Sequence, residues 1–522
     1  MSSSEVEKRE KLLQASPGGR QPEGKRVAYL VSPDLIRSSD ALVCHPGRSS
    51  CVHSLVYHLG LLDPAETSEQ PVKESSNSSS CASSDGGEES ELAELKRMLD
   101  PDASYIFPEQ GSKPSEHRRA KLVISPLASD EQLMAFHDTC YVKALLGEAS
   151  LKGDTSEGHE ANSALASPTK RPRFDTKSKA NVQSQSKRES QFGLEDDCPR
   201  FPLLAQHVRT VAGATIHAAD LLANHQADVT IVWDGGRHHA HRSKAAGFCY
   251  VNDIVLGILA LKRPRKVPQS RNVGSGSRKQ KTILTRFERV LYLDLDLHWG
   301  DGVEQAFYSS SSVLTLSVHH HAQGFFPCRD TRESANGSFQ VSSGPESAPA
   351  HALSLPLRPG ATSETLSAVY ASCIDPIIET FEPQAIVVQC GTDGAAGDPH
   401  GVWNLCSAGY LDVIGRILKR DKATLLLGGG GYDSPNAARV WAGVTSLALQ
   451  HGENKDLESI RFELLAKKVP DQTFWSEMSG NDSLKVHAGE MKNENDEQYL
   501  QQLADRFEHY KSLLTKWRQE RK

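Results

Sequence analysis

The stretch Arg289-Val-Leu-Tyr-Leu-Asp-Leu-Asp-Leu-His-Trp-Gly-Asp-Gly302 decides how the chain is read. Leu291, Leu293, Leu295 and Leu297 alternate with Tyr292, Asp294, Asp296 and His298. Alternation with period two is the signature of a strand, and it puts both aspartates and the histidine on one face. An unpaired buried carboxylate is expensive, so a purely structural strand rarely carries two of them beside an imidazole. A divalent cation resolves that cost, and Asp and His at i, i+2 make half of a zinc site. The alternative is an exposed edge strand with solvated charges. The leucines, which call for a buried opposite face, and the abrupt stop at Gly300-Asp-Gly302 count against it.

At 522 residues the chain has room for two or three domains, yet much of it is low in complexity. A formal charge of −7 argues against a dedicated DNA or RNA binder. Ten cysteines without a CxxC pair indicate neither a disulfide framework nor a cysteine zinc module, and fit a reducing compartment. Met1–Glu10 lacks the apolar core of a signal peptide, and no apolar run approaches the length of a membrane span. The expectation is a soluble intracellular protein with no membrane contact.

The composition divides the chain. Residues 1–24 read as a disordered tail, 25–486 as the main folded domain, and 487–522 as a C-terminal helical segment. Polar, Ser-, Gly- or charge-rich insertions at about 64–117, 147–191, 264–285 and 329–351 are expected to be disordered surface loops. A short helix around Glu89–Met98 interrupts the first. The second holds Ser167-Pro-Thr-Lys-Arg-Pro-Arg173, a basic cluster that reads equally as a nuclear-import signal or as a solvated charge run. What remains is about 350–380 residues, the size of one large domain.

That remainder repeats a theme. Lys25–Val31, Lys121–Ile124, Val229–Trp233, Val290–Leu297, Val313–Val318, Ala385–Val388 and Thr424–Leu427 are apolar runs. Helical patterns lie among them at His53–Leu62, Ser129–Leu146, Leu203–His225, Asp253–Lys262, Thr362–Glu379, Ser407–Lys419 and Asn436–Leu449. Strands buried on both faces and separated by helices predict a single large open α/β domain, with a mostly parallel central sheet flanked by helices. The polar clusters follow the carboxyl ends of these runs, where open α/β sheets build their sites.

Gly235-Gly-Arg-His-His-Ala240 supplies adjacent histidines, suited to proton transfer near neutral pH. Asp294 and Asp301 flank the proposed ligands and are placed to orient one histidine each; alone, the pair reads equally as surface histidines after a turn. Gln389-Cys-Gly-Thr-Asp393 offers a third ligand in Asp393, and three protein ligands with one open position is the catalytic zinc arrangement. Asp398 reads as a loop or rim residue. The Gly428–Gly431 run lacks the spacing of a phosphate cradle, and reads as a flexible turn that brings Tyr432 to a developing oxyanion. His319-His-His321 is a metal cluster or, since consecutive strand residues cannot all face one ion, a set of rim residues.

Taken together and in order, five runs resemble the zinc-dependent histone deacetylases of the arginase/deacetylase fold, on the class I side. They are Gly235–Ala240, Ala246-Gly-Phe-Cys-Tyr-Val-Asn-Asp253, Tyr292–Glu304, Gly324-Phe-Phe-Pro327 and Leu427-Gly-Gly-Gly-Gly-Tyr432. The resemblance covers nearly the whole core, from Lys25 to about Leu449. It implies one catalytic Zn²⁺ on Asp296, His298 and Asp393. It implies His239 as general base and acid, His238 as its electrostatic partner, Asp301 and Asp294 as their respective carboxylates, and Tyr432 as oxyanion donor. Gly247, Phe248 and Phe326 then line a tube for the acyl-lysine stem, Asp197 holds the substrate backbone at the rim, and Arg48 lies along an acetate exit path. Structural K⁺ is implied at Asp294, Asp296, His298, Ser317 and the Val318 carbonyl, and again around Phe307, Ser310 and Val313.

The resemblance also implies a substrate and a setting. The substrate is N6-acetyl-lysine on histone tails or other proteins, and the setting is the nucleus (with the cytoplasm open), possible corepressor partners, no sequence-specific nucleic-acid contact, and repression of transcription. The alternatives are a polyamine or non-histone deacylase and, against the intact site, a degenerate chromatin scaffold. Three positions depart from the family pattern: Gly394 for Ser or Thr, His400 for Leu or Met, and Arg237 where an apolar residue is common. They bear on substrate choice. Leu500, Leu503, Phe507, Tyr510, Leu514 and Trp517 make an apolar face on Glu497–Arg521, for docking on the domain or on a partner.

Overall fold

The Leu-Asp alternation does form a strand, and it lies inside a sheet. A computed structural model describes residues 25–63, 85–101, 118–147, 189–268, 282–327, 344–450, 456–474, 476, 478 and 482–521. Eleven strands occur among them: β1 (Val27–Leu30), β2 (Leu62–Asp63), β3 (Ala120–Val123), β4 (Val229–Val232), β5 (Arg265–Pro268), β6 (Thr282–Thr285), β7 (Val290–Asp294), β8 (Val313–His320), β9 (Ala352–Leu357), β10 (Ala385–Gln389) and β11 (Ala423–Leu427). Nine form one sheet in the order β2-β3-β1-β4-β11-β10-β7-β8-β9. Every pair in it is parallel. The fold is therefore the expected α/β domain, consistent with the arginase/deacetylase fold, and its sheet is wholly parallel.

Alternation along the strands sends side chains to both faces. Leu291 and Leu293 join a core with helices Arg48–His58, Ser407–Leu418 and Ser434–Gln450. Val290 and Tyr292 join a second core with Leu204–Ala223 and Asp253–Lys262. Both faces are covered, as a parallel sheet requires. Register then sets the site: Asp294 at the end of β7 stands beside Gln389 of β10 and Ser317 of β8.

The expected strand through Leu297 stops at Asp294. The aspartates themselves end it. The Asp296 amide donates to Asp294 Oδ1 at 3.1 Å, and the His298 amide donates to Asp296 Oδ1 at 3.1 Å. Side chains that capture the amide two residues on compete with the ladder and turn the backbone. The helix expected over Thr362–Glu379 runs without interruption from Ser363 to Phe381 and carries a π turn at Tyr370–Ile374. Pro376, which cannot donate, follows the widened turn. The pattern over Ser129–Leu146 yields two short helices, Asp130–Leu133 and Thr139–Leu145. Pro33–Asp40, capped by Ser32, and strand β9 carried too little periodicity to be foreseen.

The first and third insertions are partly built. Asp85–Leu99 is a helix that buries Leu95 and Leu99 in the core, and β5 pairs with β6 as an antiparallel hairpin. The tail, the Ser167–Arg173 cluster and most of the remaining insertion residues lie outside the described residues. The C-terminal helix, Glu497–Gln519, docks on the domain: it buries Leu503, Phe507, Tyr510 and Leu514, and Arg518 Nη1 donates to the Thr380 carbonyl at 2.5 Å. Phe507→Ala is expected to destabilise the protein by about 3–5 kcal/mol, measured by denaturant unfolding; an unchanged midpoint would mean that this contact holds nothing. No helix among the described residues is long and apolar enough to cross a membrane.

Candidate active site

Three ligand-type residues converge where β7 and β10 end. Donor atoms of Asp296, His298 and Asp393 lie within 4.8 Å of one another, and all three side chains are buried. His298 Nδ1 is 2.9 Å from Asp393 Oδ2 and 3.3 Å from Asp296 Oδ1. The remaining carboxylate oxygens are fixed from behind: Asp393 Oδ1 accepts from the Leu297 amide at 2.9 Å, and Asp296 Oδ2 from Gly430 N at 2.8 Å and Gln389 Nε2 at 2.6 Å. Gly430 has to be glycine, since a Cβ there would stand 2.4 Å from Asp393 Oδ2.

This locus carries more negative than positive charge. Burial and the neighbouring Asp296 push the Asp393 carboxyl up to about 6. Burial would also raise Asp296, but His238 and His298 hold it well below the usual carboxylate range. Burial works against a charged His298, yet Asp296 and Asp393 raise it to about 10. Two carboxylates and one imidazole, buried and pre-oriented, form a donor set of the kind that takes a divalent cation such as zinc.

The two adjacent histidines are each bound to a different carboxylate. His238 Nδ1 lies 2.8 Å from Asp294 Oδ2, and His239 Nδ1 lies 2.8 Å from Asp301 Oδ1. Their acidities separate. Burial would lower His238, but Asp294 and Asp296 raise it to about 9. Burial and the neighbouring His238 lower His239 to about 4, despite Asp301. One imidazole is thus held charged and the other neutral, the division of labour that acid–base chemistry needs. Bonding at Nδ1 leaves His239 Nε2 for a reacting group.

Aromatic rings pack around these groups. The His239 ring meets Phe326 at 4.8 Å, and His298 stacks on Phe325 at 5.0 Å. Gly247 has φ +52°, and a Cβ there would come within 2.5 Å of the His239 ring. The Phe248 ring lies 5.8 Å from Tyr432. Exposed Asp197 accepts from the Gly247 amide at 3.0 Å. Burial holds the Tyr432 phenol well above its usual range, so it stays a donor.

Arg48 is buried behind the glycine run and donates to the carbonyls of Gly429 and Gly431 at 3.0 and 2.8 Å. The residues read as potassium ligands also gather. Ser317 and Val318 follow one another in β8 beside Asp294, and Phe307, Ser310 and Val313 span the turn that enters β8.

Two expectations are corrected in part or whole. Asp398 lies in a loop, as expected, but is no rim residue: it is buried, accepts from the Tyr432 amide at 2.7 Å, and its other oxygen is 3.0 Å from His400 Nδ1. His319 and His320 are also interior, because β8 continues through them. His319 bridges the hydroxyls of Ser317 and Ser354 at 3.0 and 3.1 Å.

Other supporting residues went unread. Asp253 accepts from the amides of Gly236 and Arg237 at 3.0 and 2.8 Å and so shapes the histidine loop. Its place at the start of a helix, after a strand-end glycine pair, was the available signal. The departures from the family pattern also find their places. His400 sits 4.8 Å from both the His298 and Tyr432 rings, and a Cβ on Gly394 would stand 2.7 Å from Trp403.

The comparison with known families decides membership. The family model described as "Histone deacetylase domain" matches residues 108–274 and 276–448, well over half of the chain. The chain belongs to the histone deacetylase family. Among curated relatives, histone deacetylase HDAC1 of Drosophila melanogaster is 33% identical over 334 residues, 64% of this chain and 56% of that protein. Histone deacetylase 1 of Homo sapiens is 32% identical over 334 residues, 64% of this chain and 60% of that protein. Histone deacetylase 8 of Danio rerio is 28% identical over 480 residues, covering 92% of this chain and 93% of its own. The chain thus spans little more than half the length of the first two histone deacetylases. Against the third it runs nearly end to end.

Proposed function

We propose that this histone deacetylase family member is a zinc-dependent hydrolase that removes acetyl groups from N6-acetyl-lysine on proteins, histone tails foremost. The observation that carries the reading is the convergence of Asp296, His298 and Asp393 beside a charged and a neutral histidine, each with its own carboxylate. Asp296, His298 and Asp393 would hold the zinc, which supplies Lewis acidity to the amide carbonyl and a more acidic water.

The rest is done by the chain itself. Phe248, Phe326 and Gly247 take the apolar stem, while Asp197 orients the backbone at the mouth. Neutral His239 accepts a proton at Nε2 from the attacking water and later passes it to the leaving lysine amine. Asp301 fixes the His239 tautomer. Charged His238, steadied by Asp294, lends positive charge to the developing anion. Tyr432, anchored through its amide by Asp398, donates its hydroxyl to the oxyanion. Potassium at the β7–β8 ends, a nuclear location, repression of transcription and corepressor partners belong to the same reading, by family resemblance.

The substrate is tested by turnover on a panel of acetyl-lysine peptides, histone and non-histone, together with N-acetylpolyamines. Peptides are expected to turn over with kcat/KM at least tenfold above any acetylpolyamine, since the tube ends at an exposed carboxylate suited to a peptide backbone. Preference for acetylpolyamine would replace the protein substrate and leave the chemistry.

A further inference from the structure

Asp301 has a second histidine. Its Oδ1 lies 2.8 Å from His239 Nδ1, and its Oδ2 lies 3.4 Å from His241 Nε2. The other nitrogen of that second ring, Nδ1, is 2.6 Å from the side-chain carbonyl of Gln305. Sequence spacing accounts for the convergence. Asp301 and Gln305 are four apart on helix Asp301–Phe307 and share a face, and His239 and His241 are two apart on the loop which that helix meets. The helix presses on the loop: a Cβ on Gly302 would stand 2.5 Å from the His238 carbonyl oxygen and 2.7 Å from that of Ala240. The loop is also pinned from outside. Asn252 Nδ2 donates to the Ala240 carbonyl at 2.8 Å, and the His241 amide donates to the Lys244 carbonyl at 2.8 Å.

An amide carbonyl and a carboxylate only accept, so both nitrogens of His241 must donate, and the ring that satisfies both is the imidazolium. The surroundings agree. Hydrogen bonding to Asp301 raises the His241 imidazole above its ordinary value, over the opposition of burial and Lys244. Burial would raise Asp301, but His239 and His241 together hold it below the usual carboxylate range. Other charges nearby are engaged elsewhere: Arg242 Nε donates to Asp138 at 2.7 Å, and Glu304 accepts from the Trp299 indole at 3.0 Å. The His239 side chain is 4% exposed, Asp301 18% and His241 28%, so the charged end of the row faces solvent, where charge costs least.

We propose that His241 is a positioning residue for the general base: as an imidazolium between Gln305 and Asp301, it fixes the carboxylate oxygen that His239 leaves free, and with it the orientation of the His239 ring. Without that partner, Asp301 is free to turn from His239 towards water. The inference rests on the reading of His239 as base, and adds to it a residue that acts through Asp301.

Two measurements on the whole chain test it. Exchange of the imidazole C2 proton, followed by mass spectrometry with fragmentation inside the peptide His238–Arg242, gives the protonation midpoint of His241. It is expected above the ordinary value of about 6.5 in the parent, and to fall by roughly one unit in Asp301→Asn. Turnover is the second measurement. His241→Leu should lower kcat roughly threefold to tenfold with KM little moved, the scale of one charge-assisted hydrogen bond at a partly exposed site. His241→Lys, which returns a cation to Asp301, should recover most of that loss. In the Asp301→Asn background, His241→Leu should cost nothing further, because residues that act through one group are not additive. A parent midpoint at or below the ordinary value, an unmoved midpoint in Asp301→Asn, parent kcat in His241→Leu, or an equal fold loss in both backgrounds would each overturn the proposal. A parent that turns over no acetyl-lysine peptide would defeat the proposed function instead, and the exchange midpoints would still decide the pairing of His241 with Asp301.

Discussion

Asp393→Asn and His298→Ala are each expected to abolish zinc binding and turnover together. Both side chains present their donor atoms to one point, and with Asp296 they are the group of three metal-ligand residues found among the described residues. Loss of an outer-shell partner alone typically lowers metal affinity 10–100-fold, so loss of a direct ligand should exceed about 100-fold. The asparagine variant separates ligand loss from unfolding. Comparing the metal-free unfolding midpoints of Asp393→Asn and the parent distinguishes ligand loss from a fold weakened by losing the buried His298–Asp393 contact at 2.9 Å. Metal analysis showing full zinc in either variant would remove that residue from the ligand set.

Tyr432→Phe is the second large effect. The hydroxyl is not needed to hold the ring. Asp398 grips the Tyr432 amide, and the rings of His400 and Phe248 pack against it at 4.8 and 5.8 Å. The variant should keep its zinc and its unfolding midpoint. An oxyanion donor removed in this way typically costs on the order of 10²–10³ in kcat, about 3–4 kcal/mol. Because the contact strengthens as the oxyanion forms, kcat and kcat/KM should fall together with KM little moved. His239→Ala should be at least as severe, since the proton route goes with it. Wild-type turnover of an acetyl-lysine peptide by Tyr432→Phe would show that the oxyanion is stabilised elsewhere.

The residues for which a chemical role is proposed were legible in the chain by their type. Asp294, Asp296 and His298 stand out because charged groups on one face of a leucine-rich strand need an explanation, and Asp393 and Tyr432 because they follow later strand ends. Residues that act by position were not. Asp398 and Asp253 serve the site through backbone amides, and nothing in their neighbours along the chain says which amide they will meet. His319 was read outward because the strand was expected to stop at Val318, whereas β8 runs on to His320. The π turn at Tyr370–Ile374 was hidden, although Pro376 just after it marks the sequence. Arg237 was visible as a departure, but that it is buried beside His45 appears only in the structure.

The central claim is that zinc on Asp296, His298 and Asp393 makes this chain an acetyl-lysine hydrolase. Its most direct test is acetate release from acetyl-lysine peptides by the metal-free protein titrated with zinc. The rate is predicted to rise in proportion to added zinc up to one per chain, then level off, and to vanish again with chelator. Full acetate release from the metal-free protein, or none from any acetyl-lysine peptide once one zinc per chain is bound, would contradict the account.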